Sequence, residues 1–178
     1  MVPGPAAVYA LLHPFVQLVL LRLKPQDLPW SPVLMGLTLA AHYLLGVTLF
    51  LFRLPLPHAL LAAAASTALL CAMTVSLLYL NRLQARCVQT VTAMAGADVV
   101  VSVAALPVTA WLHGALSDGA ASGVPGLLFL LLLGWNLTVA GHVLRHALSA
   151  PLPLGLVIAL VFYVVSVNIL HALFPGMS

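Results

Sequence analysis

Long apolar runs, separated by short polar or proline-rich turns, set the pattern of this chain. Most of these runs reach about 20 residues, which is the length that an α-helix needs to cross the hydrocarbon core of a bilayer. They are apolar on every side rather than along one stripe, which is typical of helices surrounded by lipid and by other helices. The pattern predicts a shorter first segment and five spans, at about residues 6–23, 32–52, 58–80, 88–112, 126–147 and 153–174.

The fold class that follows is all-α, a polytopic membrane helix bundle of about five transmembrane helices preceded by an N-terminal amphipathic or interfacial helix. A spanning β-strand would alternate apolar and polar residues over about 10 positions, and these segments do not. Every polar stretch is far shorter than the roughly 100–150 residues of a typical soluble domain. Residues 1–178 are therefore expected to form a single membrane domain.

The first segment, 6–23, differs from the others because it is shorter and holds Pro14 in its interior. His13 and Gln17 are four residues apart and Lys24 lies seven further on, which places the three side chains on one helix face. The other face is apolar. This arrangement favours a helix that lies in the membrane interface, and the alternative is a sixth span kinked at the proline.

Composition supports the membrane assignment. The 178 residues are 63% hydrophobic and 5% charged, whereas soluble domains are about 45–50% apolar and about 25% charged. Six Lys and Arg against three Asp and Glu give a formal net charge of +3, too little for the clustered basic face of a nucleic-acid-binding protein. The partners expected are the lipid bilayer and a membrane protein or a second copy of the chain, and no nucleic acid.

The basic residues in the loops predict an orientation. Five of them fall on one side of the five-span plan and only Arg53 falls on the other, and Lys and Arg are enriched in cytoplasmic loops. We therefore expect a cell-membrane protein, in a bacterial inner membrane, with its N-terminal face cytoplasmic and its C-terminus external. The candidate cytoplasmic face consists of Arg22, Lys24, Asp27, Arg82, Arg86 and Arg145.

Asp98 lies near the middle of the fourth segment, where a charged side chain costs about 2.5–3.5 kcal/mol on insertion scales. His42 and Asn136 each fall half-way along their own segments, so the three side chains can meet at one level of the bundle. Such a midplane polar cluster is either a proton relay or ligand site, or a hydrogen-bonded clamp that fixes the helix register. The sequence leaves both interpretations open.

Other chemistry is not indicated by the sequence. His142 and His146 have the i, i+4 spacing of a metal-binding pair, but no cysteine or carboxylate nearby completes a ligand set, and no metal is expected. The chain has no GxSxG elbow and no phosphate-binding loop. A second intramembrane aspartate that could form a catalytic pair is also missing. We expect neither a cofactor nor an enzyme.

Two stretches resemble the Yip-domain family of small membrane proteins. Residues 27–32, Asp-Leu-Pro-Trp-Ser-Pro, precede the first span, and residues 133–137, Leu-Gly-Trp-Asn-Leu, run into 144–149, Leu-Arg-His-Ala-Leu-Ser. The resemblance implies a cytosolic N-terminal region and a five-helix bundle with an external C-terminus. The glycine-tyrosine motif of the family is absent at 95–97, so the GTPase binding of eukaryotic members is not carried over. The expected function is a non-enzymatic scaffold or partner-binding membrane protein. The alternative is a small transporter or channel subunit built around Asp98.

Overall fold

The computed structural model describes residues 5–117, 119 and 123–175. It is helical, with no strand among those residues, which confirms the all-α prediction. Short 3-10 turns at Pro25–Asp27 and Gln84–Arg86 precede the second and fourth helices. The six α-helices are α1 (Pro5–Val19), α2 (Pro32–Phe50), α3 (Leu56–Leu80), α4 (Cys87–Ser117), α5 (Gly123–Leu148) and α6 (Leu152–Leu173).

Helices α2 to α6 are each long and apolar enough to cross a membrane, as the sequence predicts. Helix α1 has 15 residues, or about 22 Å at 1.5 Å per residue, which is short of the roughly 30 Å of hydrocarbon. Prolines stand in the first turn of α2, α3 and α6. They are tolerated there because the first N–H groups of a helix have no partner within it.

Helix α1 ends four residues before the predicted boundary at residue 23. Leu21 has a φ of 61°, its N–H donates to Leu18 O at 3.0 Å, and Arg22 N–H donates to Gln17 O at 2.9 Å. This pair of bonds defines a Schellman closure. Because that closure usually uses glycine, the leucine-rich sequence gives no sign of it. Arg82 and Ser149, with φ of 59° and 56°, close α3 and α5 by the same pair of bonds.

Helix α4 also differs from its predicted end at residue 112, since it continues to Ser117. The Gly-Ala-Leu stretch after His113 suggested a loop, but each of those residues is compatible with a helix. Ser117 Oγ donates to His113 O at 2.9 Å, which helps to satisfy a carbonyl of the last turn.

The five long helices pack in a cycle, in the order α2, α3, α6, α5, α4 and back to α2. Helix α4 also packs against α1 and α3, which makes it the central helix of the bundle. Its first half is lined with small buried residues between Thr90 and Ala97. We call the end of the bundle that holds Arg22, Arg86 and Arg145 the basic end, and the opposite end the Arg53 end.

Helix α1 enters the bundle near the basic end. The ring of Phe15 lies directly on Gly96, where a Cβ atom would collide with it, and Phe15 and Leu18 are buried in one cluster with Ala93 and Ala97 of α4. Gly96 is nine residues past the start of α4, about 13 Å along that helix. The apolar face of α1 therefore packs against α4.

On the other face of α1, Gln17 Nε2 and His13 Nε2 lie 3.3 Å apart and exposed. The polar face predicted from the sequence is therefore present. The position of α1 in the bilayer stays a prediction.

Helices α5 and α6 meet through a pair of glycines. A Cβ atom on Gly155 would collide with the carbonyl oxygen of Gly141 and would lie 3.0 Å from the Arg145 backbone nitrogen. Close backbone approach through small residues is the usual basis of helix association in membranes, where apolar contact with lipid is no less favourable than contact with another helix.

Replacing Gly155 with alanine is expected to force α5 and α6 apart and to lower the free energy of unfolding by about 1–3 kcal/mol, the usual cost of overpacking. Gly134→Ala is the matched control, because a Cβ atom there meets no atom within 4 Å. Unfolding of the two variants by SDS titration in mixed micelles measures the difference. Equal stability of Gly155→Ala and Gly134→Ala would contradict the close glycine contact.

Candidate functional site

Three polar side chains from three helices meet at the middle of the bundle. Asn136 Nδ2 on α5 donates to Asp98 Oδ1 on α4 at 2.9 Å, and His42 Nε2 on α2 lies 3.3 Å from Asp98 Oδ2. Ser102, one turn further along α4, donates to the same Oδ2 at 3.4 Å. The structure thus brings together the three residues that depth counting selects from the sequence, and it adds Ser102.

A fourth helix, α3, contacts the ring nitrogen of His42 that faces away from Asp98. Thr67 Oγ1 on α3 donates to Ala63 O at 2.9 Å and lies 3.0 Å from His42 Nδ1. Because a hydroxyl has a single hydrogen, the oxygen that donates to Ala63 must accept from Nδ1. Both contacts of Thr67 are satisfied when Nδ1 of His42 carries a proton, and the other ring nitrogen, Nε2, faces the carboxyl group.

The contact between Asp98 and His42 depends on which ring nitrogen carries a proton. With the proton on Nδ1, a bare Nε2 would face a carboxylate oxygen as a second acceptor, so this tautomer requires a further proton between them. The pair is then either imidazolium with carboxylate or imidazole with carboxylic acid. Both forms have zero net charge, which removes most of the cost of an isolated charge in the bilayer.

The cluster forms part of the wall of a central cavity. Two adjoining spaces of about 280 Å³ and about 430 Å³ share His42, Asp98 and Asn136 in their linings. The smaller space extends toward the basic end and the larger one toward the Arg53 end. The His42 side chain is 8% exposed, whereas that of Asp98 is 29% exposed. The carboxyl group is therefore held by partners and still open to the cavity.

Two parallel helices line the larger space with matching stripes. On α2 the lining positions include 42, 46 and 49, with Arg53 in the turn that follows this helix, and on α4 they include 98, 102, 105 and 109. Within the helices each stripe advances by four and then three residues, which keeps it on one helix face. Because His42 meets Asp98 and both helices run from the basic end, Leu49 and Ala105 lie at about the same level, and Arg53 lies beyond the end of α2.

The candidate cytoplasmic face lies at the basic end. Side-chain hydrogen bonds there join the segment before α2 to α4 and α5. Gln26 Nε2 donates to His146 O at 2.7 Å, and Gln89 Nε2 donates to Leu28 O at 2.7 Å and to Gln26 O at 3.2 Å. Lys24 N–H donates to Asp27 Oδ2 at 2.8 Å. The 25–27 turn is therefore fixed on α4 and α5.

The six residues of that face differ in their surroundings. Four are exposed and two are half-buried. Arg86 Nη1 donates to Ala147 O at 2.7 Å and to Ser149 Oγ at 3.0 Å, so it caps the last carbonyls of α5. Arg145 has a buried Nε without a partner among the described residues. The exposed residues are Arg22, Lys24, Asp27 and Arg82.

The two histidines of α5, His142 and His146, pack against each other, and one of them is hydrogen-bonded to the backbone. The rings of His142 and His146 are nearly perpendicular, with centroids 4.6 Å apart, and His142 Nε2 donates to Leu23 O at 3.0 Å. A ring nitrogen that carries this proton is not free to bind a metal. Among the described residues, no group of three or more His, Cys, Asp or Glu is placed to hold a metal ion.

Sequence reasoning missed Thr67 and Arg53 as parts of the site. Thr67 follows an alanine-rich stretch, and a hydroxyl that bonds to its own helix carries no insertion cost that would mark it. Arg53 was used only for orientation. It lies in the turn after α2, where spacing from His42 along the helix does not place its side chain, so the sequence carries no signal for it.

Comparison of the chain with protein-family models, with curated proteins and with solved structures finds no match. The interpretation of the cavity therefore depends on its own geometry.

Replacing Arg86 with alanine is expected to lower the free energy of unfolding by about 1.5 kcal/mol or more, because charged hydrogen bonds to the end of α5 are lost. Arg82→Ala removes an exposed arginine from the same loop and should change stability by less than about 0.5 kcal/mol. SDS titration compares the two. Equal effects would contradict the capping role of Arg86.

The charge of the histidine ring is tested by NMR of protein labelled with ¹⁵N-histidine in nanodiscs. We expect a directly bonded proton on Nδ1 of His42, and loss of that preference in Thr67→Val, since the acceptor is removed. Thr48→Val removes an exposed hydroxyl from α2 and should leave the His42 signals unchanged. An unprotonated Nδ1 in the wild-type protein would overturn the assignment.

Proposed function

We propose that this chain is a small transport protein that moves protons or a small polar solute through its central cavity, with Asp98 and His42 as the proton-binding pair. The five long apolar helices support placement in a membrane. The single observation that carries the proposal is the carboxyl group that stays open to a cavity at mid-bundle.

A purely structural clamp would be expected to look different. Interhelical hydrogen bonds that only fix register are packed among side chains and contribute about 0.6–2 kcal/mol each. Here the carboxyl group borders a space of about 430 Å³, within the range of about 300–1,000 Å³ that is usual for small-molecule sites. Ionisable residues that line such cavities in membrane proteins typically mark proton or substrate pathways.

The orientation is part of this proposal. The basic end would face the cytoplasm of a bacterial cell and the Arg53 end would face outward, because the described loops carry most of their Lys and Arg at the basic end. Function would require no enzyme chemistry and no cofactor.

A scaffold function is the second candidate, and one surface favours it. Trp30 is 63% exposed, and it lies close in sequence to the 25–27 turn, where Asp27 and the preceding Lys24 are also exposed. A rigid, exposed aromatic residue with charges around it is typical of a protein-binding surface. A membrane protein or a second copy of this chain could dock there, as the resemblance to the Yip-domain family implies.

Cysteine accessibility distinguishes a water-filled cavity from a dry one. In a chain with Cys71→Ala and Cys87→Ala, we expect a charged, membrane-impermeant thiol reagent to label Ser102→Cys but not Val103→Cys. The two positions are neighbours at equal depth, but residue 102 lines the cavity and Val103 is 54% exposed on the outside of the bundle. Labelling of intact cells also tests the orientation. Failure to label Ser102→Cys would favour the scaffold.

Asp98→Asn is expected to abolish proton movement, since the amide keeps the shape but cannot release a proton. A pH-sensitive dye inside proteoliposomes measures the decay of an imposed pH gradient. Thr138→Val, which lies outside the cavity lining on α5, serves as the control and should behave as the wild type. Unchanged proton movement in Asp98→Asn would contradict the role of this residue.

A further inference from the structure

The two spaces of the central cavity meet at a set of polar residues to which every long helix contributes. Five polar residues line both spaces, one from each of the helices α2 to α6. They are His42, Ser66, Asp98, Asn136 and Tyr163. We call this set the polar ring. A solute at the junction of the two spaces can therefore contact polar residues of all five long helices.

The polar ring offers more oxygen acceptors than its own contacts use. A carboxylate has about four acceptor positions, and three neighbouring groups contact the two oxygens of Asp98. Asn136 donates through Nδ2, so its amide oxygen is left for another donor. Within the described part of the chain, the hydroxyl groups of Ser66 and Tyr163 form no hydrogen bond. Unpaired acceptors in the middle of a bundle indicate a ligand that donates several hydrogen bonds.

The smaller space continues from the polar ring as a mainly apolar pocket. Among the described residues that line it there is no Lys or Arg. Met94 lies four residues from Asp98 on α4, and Val143 lies seven residues from Asn136 on α5. At 1.5 Å per residue the pocket therefore extends about 6–10 Å beyond the ring. Its volume of about 280 Å³ exceeds the roughly 150 Å³ that holds a benzene molecule in a protein core.

We propose that the polar ring and the smaller space together bind a primary amine with a compact apolar body, such as an arylalkylamine. Its ammonium group donates to Asp98 and to the other oxygens of the ring, and its apolar body fills the smaller space. The inference rests on the proposed function, because it requires a cavity that solute can enter. It deepens that function by naming the class of solute.

An ammonium group matches the polar ring in both charge and hydrogen bonding. It carries one positive charge and three donors, and the ring holds one carboxyl group with acceptor oxygens around it. The positive charge lowers the cost of an ionised Asp98 in the bilayer. An anionic ligand would stand against Asp98 with no Lys or Arg among the described lining residues of the smaller space to balance it. An inorganic cation would lack the apolar contact that favours binding in this pocket.

The test compares four probes on the whole chain in nanodiscs by calorimetry, and empty nanodiscs give the contribution of partition into lipid. 2-Phenylethylamine is an ammonium ion at pH 7. 2-Phenylethanol has nearly the same shape without the charge, ethylamine lacks the aromatic ring, and 3-phenylpropionate carries the opposite charge. We expect 2-phenylethylamine to bind at least about tenfold more tightly than each of the other three. Comparable binding of 2-phenylethanol or 3-phenylpropionate would overturn the ammonium site, and comparable binding of ethylamine would overturn the apolar pocket.

Asp98→Asn assigns the position of the ammonium group. The amide keeps the shape of the side chain and removes its negative charge, so binding of 2-phenylethylamine should weaken at least about tenfold. The weaker binding of 2-phenylethanol should not change. Thr138→Val, which lies outside the lining of both spaces, should bind every probe as the wild type does. Equal losses of the amine and the alcohol in Asp98→Asn would contradict the assignment.

Ala140→Leu and Ala105→Leu locate the apolar body of the solute. Ala140 lines only the smaller space and Ala105 lines only the larger one. The larger side chain at 140 should fill part of the pocket and weaken 2-phenylethylamine at least about tenfold, whereas ethylamine should bind as before. Ala105→Leu should leave the binding of both amines unchanged. Equal losses in the two variants, or a loss confined to Ala105→Leu, would contradict the location. The comparison of the four probes on the wild-type chain decides the proposal if either variant fails to fold.

The failures of the two proposals can be told apart. If none of the probes binds while Ser102→Cys is labelled by the impermeant reagent, the solute class is wrong and the water-filled cavity stands. If none binds and Ser102→Cys is not labelled, both proposals fail.

Discussion

A carboxyl group in the middle of a lipid-surrounded bundle has to be neutralised and hydrogen-bonded, and the arrangement of the helices satisfies that requirement at Asp98. Its partners come from α2 through His42, from α5 through Asn136 and from α4 itself through Ser102. Thr67 of α3 fixes the histidine in turn. Four helices therefore take their relative depth from one side chain, because a shift of any one would leave a buried polar group without its partner.

Small residues let α4, α5 and α6 pack closely toward the basic end. Helices in lipid associate where glycine and alanine let backbones approach, and here the small buried residues of α4 and the Gly141–Gly155 contact lie toward the basic end. Toward the Arg53 end, bulky side chains such as Phe50 and Phe129 line the space between helices. Along α4 and α5 the larger space therefore lies where the close packing of small residues ends.

The sequence predicts much of this structure because lipid imposes simple rules. Apolar length gives the five long helices, and counting from the ends of the segments places His42, Asp98 and Asn136 at one depth. The features that the sequence does not predict depend on contacts between distant segments. The end of α1 is set by a left-handed leucine where glycine is usual, and the capping by Arg86 requires the end of α5 to lie beside it. The cavity depends on which faces the helices turn toward each other, and apolar periodicity is nearly uniform around them.

The three Schellman closures at Leu21, Arg82 and Ser149 all stand at the basic end, so α1, α3 and α5 reverse there within a few residues. Such tight reversals leave the connecting segments little conformational freedom. The hydrogen bonds of Gln26, Gln89 and Arg86 stabilise these segments further. A rearrangement that keeps these reversals intact would have its pivot at this end. By simple leverage, a rotation of about 5° displaces the far end of a 30 Å helix by about 3 Å. Under such a rotation Arg53, at the far end, would be displaced further than the cluster of His42, Asp98 and Asn136, so the larger space would change its width most at the Arg53 end.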